Sequence, residues 1–221
     1  MPRETAVVDD TDSLPGRHGL RGTGHRGRRD DRGGGAATDP DADRAPRVYL
    51  ITGVQAAGKS TVAQALAERL SAPSVHVHGD QFRRWIVNGR RDMTPDPHPE
   101  AVEQLRLRYR LMATTCDLYA GAGCSVVAQD VVLGSHLRLL VDLVRTRPLH
   151  VVVLAPRPAV VAERERRRGK HAYGDWTVDG LDGVLRRDTP RLGLWLGTSE
   201  LTVDQTCDAI LGRSAETSVG V

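Results

Sequence analysis

Lysine is almost missing from this 221-residue chain, with Lys59 and Lys170 the only two, so arginine supplies nearly all of the positive charge. A guanine-recognition motif of the form Asn-Lys-x-Asp therefore cannot be assembled, which sets aside the guanine-nucleotide switches. Aromatic residues make up only 4%, with a single phenylalanine, too few for the stacking platform on which single-stranded nucleic acid is read. Cys116, Cys124 and Cys207 are an odd number without metal-ligand spacing, so all three read as reduced, buried thiols. No run approaches the roughly eighteen apolar residues of a membrane span, and the N-terminal stretch lacks the apolar centre of a secretory signal. A cytoplasmic protein without a membrane partner is the expectation. With 31 basic against 28 acidic residues the net charge is +3, which gives no one-signed field and little support for a nucleic-acid partner.

Large apolar residues are also scarce from Met1 to about Pro46, where Gly, Arg and Asp dominate without helical or strand period. Such a stretch cannot bury enough surface to offset the entropy of ordering it, so residues 1–46 read as a disordered tail. Its arginines (Arg26, Arg28, Arg29, Arg32) alternate with aspartates, unlike a nucleic-acid-binding arm.

From Arg47 the pattern changes to short apolar runs alternating with amphipathic ones, the pattern of a parallel sheet covered by helices. Strands are expected at Val48 to Thr52, Ser74 to His78, Ser125 to Gln129, His150 to Ala155 and Leu194 to Leu196. Helices are expected at Ser60 to Leu70, with Val62, Leu66 and Leu70 on one face, and at Pro99 to Tyr119, with Leu105, Leu111 and Met112 at helical spacing. Four more should cover Ser135 to Arg145, Pro158 to Arg168, Val178 to Arg187 and Thr202 to Leu211. Residues 47–221 thus read as one α/β domain of three layers, a five-stranded parallel sheet between helices.

Gly53-Val54-Gln55-Ala56-Ala57-Gly58-Lys59-Ser60 follows the first strand and opens the first helix, with Thr61 next. That is the phosphate-binding loop in its required context. Glycines let the backbone approach the phosphates, successive N–H groups and the helix N-terminus bind the anion, Lys59 reaches the outer phosphates and the Ser60 hydroxyl ligates Mg²⁺. ATP with Mg²⁺ is the expected nucleotide, and the fold is that of the P-loop NTPases.

The second strand ends in Gly79-Asp80, and the third in Gln129-Asp130. Ligands of open α/β sheets bind at this carboxyl edge. Asp80 is expected to orient and deprotonate an attacking hydroxyl, the competing reading being a mere cap of the next helix, with Arg83 and Arg84 as neighbours toward a substrate. Asp130 is expected to serve Mg²⁺ as an outer carboxylate, although the two aspartates could exchange roles. After the fourth strand, Arg164 and Arg168 share a face of an arginine-rich helix end that leads into a loop containing Lys170 and Tyr173. They are the expected lid arginines, neutralising the transferred phosphate. Thr189-Pro190-Arg191 reads equally as a second lid element or a helix stop. His76 and His78 alternate like metal ligands, but nothing at suitable spacing completes a site, and partly buried strand histidines are expected. Trp85, Trp176 and Trp195 are expected in the core or as pocket wall.

With these elements in this order, residues from about Arg47 to Leu211 resemble the chloramphenicol phosphotransferase-like family of P-loop kinases, and more distantly adenylylsulfate kinases and zeta-toxin-type kinases. The resemblance implies transfer of the γ-phosphate of ATP to a hydroxyl of a small molecule, an antibiotic, sugar or nucleotide-like metabolite, with Asp80 as base. Asp130-Val-Val-Leu-Gly134 is similar to the corresponding strand end of that family. Gly197-Thr198-Ser199 departs from the related kinases, which often have Asp before the hydroxyl residues. Other readings are a polynucleotide or RNA-processing kinase, whose site would look the same, and a P-loop NTPase without a small acceptor. A motor of the AAA type would need more chain behind the core and arginines acting between subunits.

Overall fold

The computed structural model describes residues 45–70, 73–168 and 176–220. The tail assigned to residues 1–46 lies, up to residue 44, outside the described residues.

Val48–Gly53 forms β1, an apolar run in which every residue is buried, as expected of a strand with neighbours on both edges and helices over both faces. The remaining parallel strands are β2 (Ser74–His78), β3 (Ser125–Gln129), β4 (Leu149–Leu154) and β5 (Leu194–Leu196), in the spatial order β2-β3-β1-β4-β5. Each lies within one residue of its expected position. A sixth strand, β6 (Ser218–Val219), pairs antiparallel with Leu149 and His150, on the stretch of β4 preceding the one paired with β5. Two residues without alternation carry no strand signal, which is why β6 was not anticipated.

The helices are α1 (Lys59–Arg69), α2 (Gly79–Arg84), α3 (Pro99–Gly121), α4 (His136–Leu143), α5 (Pro158–Arg168), α6 (Val178–Gly183), α7 (Val203–Gly212) and α8 (Ser214–Thr217). Pro99 stands at the start of α3, where its missing N–H costs nothing, and the His98 side chain accepts from the Glu100 amide. Thr202 and Gln205 form a capping box at the start of α7. Val62 and Leu66 pack into the core from α1, with Leu70 partly buried.

Several expectations are corrected. Leu111 is 39% exposed while Met112 is 1% exposed, because neighbours on a helix cannot both face the sheet and the buried face of α3 runs through Tyr109, Met112, Cys116 and Ala120. The helix over Val178 to Arg187 is not uniform: α6 gives way to a π-helix over Val184–Asp188. Trp85 is neither core nor pocket wall but 68% exposed, since Phe82 takes the inward place at the end of α2 and Trp85 meets its ring edge-on at 5.2 Å. Trp195 packs on the core, and Arg191 stacks over its ring at 3.9 Å. Cys116 and Cys207 are buried thiols as expected, whereas Cys124, just before β3, is partly exposed, contrary to that expectation. His76 is half-buried as expected, but His78, at the end of the strand, is exposed; the two rings lie tilted at 3.9 Å, and burial, then His78, lowers the His76 pKa to about 4.

Candidate active site

β1 delivers Gly53 to the carboxyl edge of the sheet, where a side chain could not follow. Its φ is +147°, and a Cβ there would stand 2.4 Å from the Leu154 carbonyl oxygen of β4. The loop turns through Val54, Gln55, Ala56 and Ala57, the Ala57 amide donating to the Val54 carbonyl at 3.2 Å, and enters α1 at Gly58 with φ +97°. α1 has neither a capping side chain nor an acidic residue in its first turn, so its N-terminal amides are left to an anion. Lys59 is 7% exposed, and its Nζ donates to the Val54 carbonyl at 2.8 Å, arching over the loop. Ser60 and Thr61 are exposed beside it. Arg164 Nη1 reaches across from α5 to the Ala57 carbonyl at 3.3 Å, so the arginine-rich helix and the phosphate loop meet. Arg166 and Arg167 instead pair with Glu163 at the surface. Arg168 ends α5, and its side chain, like Gly169 to Tyr173, lies outside the described residues.

The tips of β2 and β3 are adjacent, with His78 opposite Gln129, so Gly79 stands against Asp130. A Cβ on Gly79 would lie 2.2 Å from Asp130 Oδ2. The space that Gly79 leaves is filled by the Asp130 carboxylate, 2% exposed, which accepts from the Val131 amide at 2.6 Å and takes the fork of Arg108 through Nε and Nη2. Arg108 comes from α3, is 13% exposed and also stands 4.0 Å from Asp80 Oδ1. Asp80 accepts from Arg83 Nε at 3.0 Å and Arg84 Nε at 2.7 Å. Burial alone would push its carboxyl up, but Arg83, Arg108 and Arg84 together hold it below the usual carboxylate range.

The sequence reading did not single out Arg108. The available signal was its register, four residues before Met112 and seven after Ala101, which puts one arginine of the Arg106-Arg108-Arg110 series on the buried face of α3.

Loop and strand tips open into one cavity of about 930 Å³, within the range of small-molecule sites. Lys59 and Ser60 line one side, with Asp80, Asp130 and Arg108 beside them. Met93, Trp176, Leu181, Val184 and Asp188 also line the cavity, with the Trp176 indole N–H donating to the Met93 carbonyl at 3.1 Å. Trp176 is thus pocket wall. The Thr189 hydroxyl accepts from the Gly134 amide at 2.8 Å and donates to the Val184 carbonyl at 3.0 Å, so this residue both ends the π-helix and pins it to the loop after β3. His136 also lines the cavity, and burial followed by Arg106 lowers its pKa.

Residues 48–183, which include the loop, both strand-tip aspartates and α5, match a family described as AAA domain. No curated protein matches the chain. Among solved structures, the APS kinase of Mycobacterium tuberculosis in complex with AMPPNP and APS is similar at TM-score 0.59 and 18% identity over 76% of this chain and 96% of that one. A sugar kinase from Janibacter sp. HTCC2649 is similar at TM-score 0.58 and 19% identity, covering 79% of this chain and 99% of that one. The tunicamycin resistance protein of Deinococcus radiodurans is similar at TM-score 0.55 and 22% identity, covering 80% and 100%. At these identities the likeness is one of fold.

Proposed function

The chain belongs to the AAA-domain family of P-loop proteins, and from that premise we propose that it moves the γ-phosphate of ATP to a hydroxyl of a small molecule. The observation that carries the proposal is that the Asp80 carboxylate and the Lys59–Ser60 pair of the phosphate loop line the same cavity. A nucleotide hydrolase can orient its attacking water with such a carboxylate, but the cavity of about 930 Å³ that Asp80 lines has room for a small molecule, which favours transfer to an acceptor. The kinases among the similar folds support the same reading. A motor would bring arginines from one copy to the nucleotide of another, whereas here Arg164 of the same chain stands over the loop.

The residues divide by role. The amides from Gly53 to Thr61 and the open N-terminus of α1 hold the phosphates, and Lys59 leaves the Val54 carbonyl for the β- and γ-phosphate oxygens. Arg164, with Arg168 proposed as its partner, neutralises charge on the transferred group. Mg²⁺ fits the donor set offered by the exposed Ser60 hydroxyl, with Asp130 as an outer carboxylate that keeps its bond to Arg108. When bound, the ion draws charge from the phosphate oxygens. Asp80 accepts a hydrogen bond from the acceptor hydroxyl, aims its oxygen at the phosphorus and takes the proton as the bond forms. Its depressed pKa keeps it ionised at neutral pH, so it acts more by orientation than by basicity, and the acid limb of the rate profile should lie below the usual carboxylate range. Arg83 and Arg84 hold Asp80 in place at the acceptor side.

The test is Asp80→Asn, assayed with labelled ATP against a panel of hydroxyl compounds. Transfer should fall by about 10² to 10⁴-fold with nucleotide affinity little changed. Full transfer by this variant would remove Asp80 from the reaction, and loss of nucleotide binding would make it structural.

A further inference from the structure

The kinase reading leaves open what the acceptor carries besides a hydroxyl, and the charges around the cavity bear on that. Among the described residues, every arginine lining it is already matched. Arg83 meets Asp80 and Asp92, Arg84 meets Asp80, Arg91 meets Glu100, and Arg108 meets Asp130. Lys59 belongs to the triphosphate. Three of the lining carboxylates, Asp80, Asp92 and Asp130, are engaged by these arginines. The fourth, Asp188, is different: among the described residues it has no hydrogen bond and no ion pair, and it is exposed on the cavity wall.

Asp188 is also firmly placed. It is the last residue of the π-helix, a form that tends to occur at functional sites, and the next residue, Thr189, is 4% exposed and bonded to both Gly134 and Val184. Arg186, two residues earlier, pairs with Asp182 and donates to the Pro156 carbonyl. The same cavity has apolar lining from Trp176, Leu181 and Val184. A carboxylate held on a pinned segment in a partly apolar cavity, with no protein partner, is a group that a ligand filling the cavity would desolvate and would have to match with a charge of its own.

The geometry points to Asp188 as the residue that selects an acceptor bearing an ammonium group, so that the substrate class is amine-bearing hydroxyl compounds, such as amino sugars and amino alcohols, rather than sugar acids or phosphate esters. This rests on the kinase reading and deepens it. An anionic acceptor would have to compete with Asp80, Asp92 or Asp130 for an arginine and would meet Asp188 unpaired. An ammonium would pair with Asp188 and would lie in a cavity that already holds a negatively charged triphosphate. His136 supplies no counter-charge, since burial and Arg106 keep it neutral near pH 7.

The experiment is a binding titration of the full chain, in the presence of a non-hydrolysable ATP analogue, with glucosamine, glucose and glucuronate, which share a ring and differ in charge. Glucosamine should bind at least about tenfold more tightly than glucuronate, as expected for one charged hydrogen bond. Asp188→Asn should bring that ratio close to one without changing affinity for the nucleotide analogue. Equal or reversed preference in the unaltered chain, no binding of glucosamine, or a preference that survives Asp188→Asn would each overturn the assignment. The kinase reading fails separately, if the unaltered chain does not bind the nucleotide analogue.

Discussion

At the scale of single residues, Gly79 shows how one missing side chain shapes a site. Any substituent there meets the Asp130 carboxylate, which is buried, forked by Arg108 and unable to move without leaving that guanidinium unpaired. Gly79→Ala should therefore lower stability by about 1–3 kcal/mol, the usual cost of overpacking, and should disturb catalysis through Asp80 next to it. A urea midpoint equal to that of the parent would show that Asp130 moves aside freely. Lys59→Ala should abolish ATP turnover and weaken nucleotide binding while leaving the urea midpoint near its parent value, as checked by turnover assay and nucleotide titration. Ala56 is the opposite case to Gly79, a residue with a side chain where the backbone prefers none: its φ is +58°. Ala56→Gly relieves roughly 1 kcal/mol of left-handed strain and adds a comparable entropy cost, so the expected change in melting temperature is small.

At the scale of elements, the π-helix is held by Thr189, whose hydroxyl is the acceptor for the Gly134 amide and a donor to Val184. Thr189→Val keeps the shape and removes both bonds, leaving a buried amide unsatisfied at a cost of about 1–3 kcal/mol. Hydrogen exchange should show faster exchange at Gly134 and over Val184–Asp188 with little change in β1. Uniform acceleration across the sheet would mean that the segment is not an independent unit. This also marks how far the sequence was legible. Elements with a strong period, β1 to β5 and α1, α3, α4, α5 and α7, were readable because burial repeats along them. The phosphate loop and both strand-tip aspartates were readable because their chemistry is local in sequence. The Arg108–Asp130 fork was not, since it joins residues 22 apart whose pairing depends on how α3 lies over β3. Nor was the switch from α to π at Val184, which depends on where Thr189 finds its partner rather than on the pattern of Val178 to Asp188.

For the described part of the molecule as a whole, three histidines set the response to acid. His76, His136 and His150 are each kept from protonation chiefly by burial, His76 with a pKa of about 4 and the other two lowered from 6.5. The unfolded chain, with histidines near 6.5, binds more protons than the folded one below that pH. Stability should therefore be level between about pH 6.5 and 8 and decline as the pH falls toward 4. Urea midpoints at pH 7.5 and 5.5 check this, and an equal or higher midpoint at the lower pH would contradict it. His150 also links two distant parts of the chain, its Nδ1 lying 2.7 Å from the Thr217 hydroxyl just before β6. That contact, with the pairing of Ser218 and Val219 on β4, gives the last described residues a protective task. They cover backbone groups of Leu149 and His150 on β4 that would otherwise be open to another chain. A chain cut after Arg213 should keep its nucleotide site, since no described residue beyond Asp188 lines the cavity, yet scatter light with time as copies join through the bared stretch of β4.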